Sequence, residues 1–207
     1  MPAAPPTGEP LLGRFVRLDP VQIEDAEAMH AVLTDPAVYS QGFIMHAPPM
    51  DLAATKAIVA EAVAARGAGR AAYTVRLTGE GRLGEPGTVV GGSSLGDVDL
   101  VNESVHLGWT MYGSRWWGTQ VNPECKLLLL GHAFDCGFGR VKIQTDAVNE
   151  RSQGAIARLG ATREGVLRRD KRRADGTFRD TVVFSILREE WPAVRAGLED
   201  RLGVPRG

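Results

Sequence analysis

At 207 residues the chain is long enough for one domain with a substantial core, and 43% hydrophobic with 24% charged residues is ordinary globular content. A formal net charge of −1 excludes polyanion binding by bulk charge, and no apolar run approaches the roughly 18 residues a membrane span needs. Two cysteines, Cys125 and Cys136, fit neither a disulfide framework nor a zinc site and read as semi-buried thiols in a reducing compartment.

Residues 1–10, MPAAPPTGEP, are rich in Pro and Ala and read as a loose tail; 11–207 read as a single domain. The tail lacks a basic segment followed by an apolar core, so no secretory signal is read there and a cytoplasmic protein is expected. GRFVRLDP alternates as a strand. QIEDAEAMHAVL predicts an amphipathic helix with Ile23, Ala26, Met29 and Leu33 on one face. DPAVYSQGFIMHAPPM breaks regular structure at Pro36, Gly42, Pro48 and Pro49 and reads as a connector or as a lid over a pocket. A second helix follows, capped by Asp51 and ended by Gly67. Three meander strands come next: AAYTVRLT; TVVGGSSLGDVDLVN, whose glycines predict a bulge or close backbone approach; and ESVHLGWTMYG. In the third strand strict alternation puts Glu103, Val105, Leu107 and Trp109 on one face and Ser104, His106, Gly108 and Thr110 on the other.

The stretch Arg115 to Gly160 organises the chain as loop, helix, strand, loop, helix. Asn122 is a cap candidate, Pro123 suits a first turn, and Glu124 favours the positive end of the helix dipole. Leu127, Leu128, Leu130, Phe134 and Phe138 form an apolar stripe, and Gly137 is placed to end the helix. VKIQTDAV alternates as a strand, Asn149 can cap the next helix and Gly160 can end it. Gly118 lets the backbone turn tightly ahead of a helix N-terminus, an arrangement that favours a phosphate. The C-terminal part predicts a long hairpin turning at Ala174-Asp175-Gly176-Thr177, then a short helix from Glu189 to Leu202. The sum is a mixed α/β architecture, with a mostly antiparallel central sheet and helices on both faces.

Arg115-Trp116-Trp117-Gly118-Thr119-Gln120 resembles the acyl-CoA pyrophosphate loop of the GNAT acetyltransferases, except that Gln120 stands where that family usually has Gly or Ala. Asn149-Glu150-Arg151-Ser152, followed by Ala155, Leu159 and Gly160, resembles the family's next block, and DGTFRDTVVFSILREEW resembles the RimJ/RimL-like branch of ribosomal-protein N-terminal acetyltransferases. The resemblance implies transfer of an acetyl group from acetyl-CoA to a primary amine in a ternary complex, the acceptor being a protein N-terminus, such as that of a ribosomal protein, or a small molecule. No metal and no membrane enter this chemistry, and a homodimer is compatible with it by analogy alone.

The resemblance assigns the pantetheine arm to the backbone of Trp109, Thr110 and Met111. It assigns the pyrophosphate to the amides of Trp117, Gly118, Thr119, Gln120 and Val121, with Arg115 pairing a phosphate oxygen. Asn149 would bond the pantetheine or a water, and Ser152 would protonate the leaving sulfur. The only tyrosines, Tyr39, Tyr73 and Tyr112, precede Asn149, so a tyrosine acid after that block does not transfer. For the base, Glu103 at the start of the third strand is the family-placed carboxylate, with His106, Asp97 and Asp99 as alternatives. Arg168, Arg169, Lys171, Arg172 and Arg173 form a basic run that reads as a solvated hairpin arm or a surface for an acidic partner. The competing readings are a non-catalytic acyl-CoA sensor, prompted by Gln120 and the missing tyrosine, and an antibiotic-modifying acyltransferase.

Overall fold

A computed structural model describes residues 2–40, 47–173 and 175–203. The strands are β1 (Leu11–Leu12), β2 (Val16–Pro20), β3 (Ala71–Leu77), β4 (Val89–Asp99), β5 (Ser104–Tyr112), β6 (Arg140–Asp146), β7 (Thr162–Arg172) and β8 (Phe178–Leu187). The helices are α1 (Ala26–Leu33), α2 (Pro36–Tyr39), α3 (Leu52–Ala64), α4 (Val121–Asp135), α5 (Glu150–Ala157) and α6 (Trp191–Leu202). One eight-stranded sheet has the order β1-β2-β3-β4-β5-β6-β8-β7. Its strands pair antiparallel except β5 with β6, which run parallel. The expected mixed, mostly antiparallel sheet is therefore present. One core joins α4 and α6 to one face; a second joins α1 and α3 to the other.

Several local readings hold for the expected reason. The Asp51 carboxylate accepts the Ala54 amide at 2.7 Å, and Asn149 Oδ1 accepts the Ser152 amide at 2.9 Å. Gly137 follows α4 at φ +94°, a left-handed conformation that glycine adopts without strain. The glycine-broken β4 makes the anticipated close approach, since a Cβ on Gly91 would stand 2.0 Å from the Met111 carbonyl oxygen.

Other readings are corrected. Asn122 does not cap α4, which begins one residue earlier, at Val121 behind Gln120. Gly67 lies inside a 3-10 turn that extends α3, and Gly69 at φ +79° closes it. Ile23 is 43% exposed because it precedes α1 in a separate 3-10 turn; Val32 completes the buried face. The stripe of α4 runs through Val121, Cys125, Leu129, Leu130, Ala133 and Phe134, while Leu127 and Leu128 are only partly buried. Pro36–Tyr39, read as irregular, forms a short helix capped by Asp35; most of the lid reading falls on 41–46, outside the described residues. Within the segment read as a loose tail, the Ala4 amide donates to the Cys136 carbonyl at 2.8 Å. In the basic run, Arg173 pairs with Asp146 at 2.9 Å, and the rest lies along the exposed edge strand β7.

The correction that matters for function is in β5. Gly92 faces Met111 and Ser94 faces Gly108, so Trp109 and Thr110 together oppose Ser93 in a β-bulge, with Trp109 at φ +50°. The extra residue inverts the alternation beyond it. Trp109 turns to the face of His106, ring centroids 4.9 Å apart, and Arg70 stacks over it at 4.3 Å. Thr110 turns toward α4, as does Tyr112, while Met111 packs with α1 and α3.

Glu124, in the first turn of α4, is 3% exposed. Its carboxylate accepts the amides of Arg14, Phe15 and Val16 at 2.8, 2.6 and 2.7 Å. This bond set pins the β1–β2 turn to the helix start. A Cβ on Gly13 would come within 2.5 Å of the Glu124 carboxyl carbon, so the turn needs glycine there.

Candidate active site

The parallel pairing of β5 and β6 ends at His106 and Lys142. Beyond it the strands enclose a cleft of about 710 Å³. Leu107 to Tyr112 line it from β5, Ile143 to Asp146 from β6, Gly118 to Lys126 in part from the start of α4, and Asn149, Arg151 and Ser152 from α5. The bulge at Trp109–Thr110 lies where the sheet opens. Strand pairing is given up there, which leaves backbone for a ligand.

Ahead of α4 the chain turns at Gly118, φ +74°. Among the described residues, the amides of Gly118, Thr119, Gln120 and Asn122 have no acceptor within the protein. These are the unsatisfied donors of a helix start, and they favour an anion. Two expected cradle amides are already used: Trp117 donates to the Ser114 carbonyl at 3.1 Å, and Val121 donates to the Thr119 hydroxyl at 3.4 Å. Gln120 does not line the cleft.

Basic groups surround the cleft: Lys126, Arg151, Arg158, Arg179 and Arg201 line it, and the lining carboxylate Asp146 is held by Arg173. Such a field suits a ligand that carries several phosphate charges. Arg151 lies over the Trp117 ring at 3.6 Å, and the Trp117 indole donates to the Tyr112 carbonyl at 2.8 Å. That stack fixes one cleft wall beside the cradle. Substituting Gly118 by valine is expected to strain the positive φ by about 1–3 kcal/mol. It also puts a branched side chain beside the free amides. Acetyl-CoA affinity, read by calorimetry, should fall at least tenfold while the fold persists.

Of the remaining expected residues, the structure gathers Trp109, Thr110, Met111, Asn149 and Ser152 at one cleft. Arg115 is exposed, stands beside the Trp116 ring at 5.8 Å and does not line the cleft. Glu103 is also not brought there. It sits in the β4–β5 turn at the opposite end of β5, φ +48°, its carbonyl accepting from Gly139 and Arg140. The alternative base His106 is buried, its Nδ1 3.1 Å from Asp97 and its Nε2 without a partner. Burial lowers the His106 pKa, while the hydrogen bond from His106 holds Asp97 down at about 2. Asp99 instead bonds Asn102 in the adjoining turn.

Motif spacing does not point to Lys126 or Arg179 as lining residues, and the Asn149–Ser152 block gives Arg151 no role of its own. Lys126 nonetheless carries a visible signal: it lies three, four and seven positions before Leu129, Leu130 and Ala133, all fully buried, so helical spacing aims it inward. Among the described residues no group of His, Cys, Asp and Glu could hold a metal ion, and no helix is long and apolar enough to cross a membrane.

A sheet split open beside a bulge and faced by free helix-start amides is the frame of a coenzyme-thioester transferase. The sequence profile described as "Acetyltransferase (GNAT) domain" matches residues 16–162, and the chain belongs to that family. It is an acyl-CoA-dependent N-acetyltransferase, with acetyl-CoA as donor. A crystal structure assigned as an acetyltransferase shares 38% identity over 94% of each chain, TM-score 0.80. One from T. thermophilus shares 37% over 94% of this chain and 97% of its own, TM-score 0.79. Mycobacterium smegmatis RimJ, solved in complex with CoA-disulfide, has the same fold at 24% identity, TM-score 0.74, over 94% of this chain and 93% of its own. No curated protein matches the chain.

Proposed function

We propose that the acetyl group passes from acetyl-CoA directly to a primary amine in a ternary complex. The observation that carries this reading is the β5 bulge at the mouth of the split, one loop away from the free amides of Gly118, Thr119 and Asn122 that line the cleft. In this reading the diphosphate rests on the amides of Gly118, Thr119 and Asn122, with Arg151 and Arg158 as its cations in place of Arg115. The backbone of Trp109, Thr110 and Met111 aligns the pantetheine arm. Asn149 and Ser152 hold its sulfur end from α5. Fixing both reactants in this way removes much of the entropic barrier to attack.

The amine enters from the α1–α3 face. A small pocket of about 110 Å³ lies there against Trp109, Ser94, Arg70 and Glu61. Its size suits the amine-bearing head of the acceptor, whether the N-terminal residue of a protein, as in the RimJ/RimL-like branch, or a small molecule. His106 stands on the same face as Trp109. Oriented by Asp97 and set against the Trp109 ring, it lies nearer the bulge than Glu103 but is buried and lines neither cavity, so the amine proton passes to water.

The test is calorimetric titration with acetyl-CoA and CoA, followed by thiol release over a panel of amines and N-terminal peptides. Micromolar binding and turnover that falls at least tenfold in Asn149→Ala are expected. Absence of binding up to millimolar coenzyme removes the reading. Binding without turnover on any amine would leave the non-catalytic sensor.

A further inference from the structure

Lys126 projects from α4 into the cleft, 5% exposed. Its Nζ donates to the Thr110 hydroxyl at 3.2 Å, and that hydroxyl is 2.7 Å from Ser93 Oγ. The ammonium group therefore stands at the bulge itself. Among the described residues no carboxylate pairs with it. The neighbouring Glu124 is taken by three backbone amides, and Asp146 across the cleft is held by Arg173. The nearest thiol, Cys125, is pushed up to about 12 by burial and is neutral. Arg151 and Arg179 line the same cleft and add positive charge. A buried cation left without an internal counter-charge is expensive to keep, and it suits a site where negative charge develops during reaction.

We propose that Lys126 is the acid that protonates the departing CoA sulfur, an inference that rests on the coenzyme pose given above. The amine lone pair forms the new C–N bond, and the carbonyl π electrons move to oxygen. As that carbonyl re-forms, the C–S bond breaks and sulfur leaves with its electron pair. A proton passes from Lys126 Nζ to sulfur, giving CoA thiol and a neutral lysine. The proton shed by the amine nitrogen goes to solvent, and Lys126 regains one from solvent in the cleft. Ser152 keeps a hydrogen bond to the sulfur, since a hydroxyl is too weak an acid for the transfer. Burial lowers Lys126 to about 8, close to the roughly 8.5 of a free thiol, so little driving force is lost in the step. Thr110, fixed by Ser93, is the positioning residue.

The experiment compares wild type with Lys126→Met in four readouts. Calorimetry should show that both proteins bind acetyl-CoA, the variant more weakly by no more than about tenfold because one cation of the cleft is lost. The kcat should fall about 100-fold or more. Wild-type kcat should also decline above about pH 8 as Lys126 loses its proton, and that alkaline limb should vanish in the variant. Finally, the ultraviolet thiolate absorbance of enzyme-bound CoA should titrate at lower pH in wild type than in Lys126→Met. Unchanged kcat, a retained alkaline limb or an unmoved thiol titration, with coenzyme still bound, overturns the role of Lys126 and leaves the N-acetyltransferase reading intact. Failure of wild type to bind acetyl-CoA defeats both.

Discussion

Glu124→Ala is expected to remove roughly 3–5 kcal/mol from the stability of the fold. The carboxylate accepts three consecutive amides from a segment more than 100 positions away in sequence. Bonds to an ionised acceptor are the stronger kind, and two of these three are buried. Alanine removes the acceptor and leaves the Phe15 and Val16 amides without water to replace it. Phe15, Val16 and Leu18 belong to the same core as α4, so the loss reaches the packing of the sheet edge on the helix. Glu124→Gln should lose about half as much, because its single oxygen can serve two amides while its NH₂ faces the third donor. Urea unfolding followed by tryptophan fluorescence measures this. A domain of this size holds only about 5–15 kcal/mol. A loss below about 1 kcal/mol for the alanine variant would mean that water or a shifted turn replaces the carboxylate.

Sequence places Glu124 correctly near a helix start but suggests for it only a dipole role. Nothing local in the sequence points to Arg14, Phe15 and Val16 as its partners, because the contact is made by the tertiary fold. The same division runs through the rest of the chain. Caps and glycine stops act within a few residues, so Asp51, Asn149 and Gly137 are legible. The order of strands and helices follows from periodicity and turn chemistry. The faces of β5 are not legible, since a bulge is set by the register of the neighbouring strand, and one extra residue reverses every side chain after it.

The candidate site divides in the same way. The Gly118 turn and the Asn149 cap are local features, and both stand at the cleft. Which amides stay free is not readable, because the acceptors that occupy Trp117 and Val121 belong to the particular way the loop folds. Glu103 opens β5 in sequence as a base should, yet the split lies at the other end of that strand. Lys126 stays hidden while only apolar residues are traced along a helix face. A lysine in the inward position, taken as an exception to the stripe, marks the cleft.

That lysine carries the second large effect. Lys126→Met is expected to stabilise the protein at neutral pH by about 3 kcal/mol, following from the fall of its pKa from 10.5 to about 8. The cause is burial, which disfavours the charged form. For a lysine whose folded pKa lies below its unfolded value, the unfolded chain binds more protons between the two values. Wild-type stability therefore rises with pH from about 8 to 10.5, and below about 8 the full penalty of a buried charge is present. Methionine fills similar space without that charge, and Thr110 keeps its bond to Ser93. The difference in melting temperature between the two proteins should be widest at pH 7 and shrink steadily as pH climbs toward 10.5. If methionine instead destabilises the protein at pH 7, the ammonium group is contributing to the fold and Lys126 is a structural residue. A more stable variant that has lost turnover would show that the lysine is kept against the interest of stability, as expected of a group held ready for the thioester.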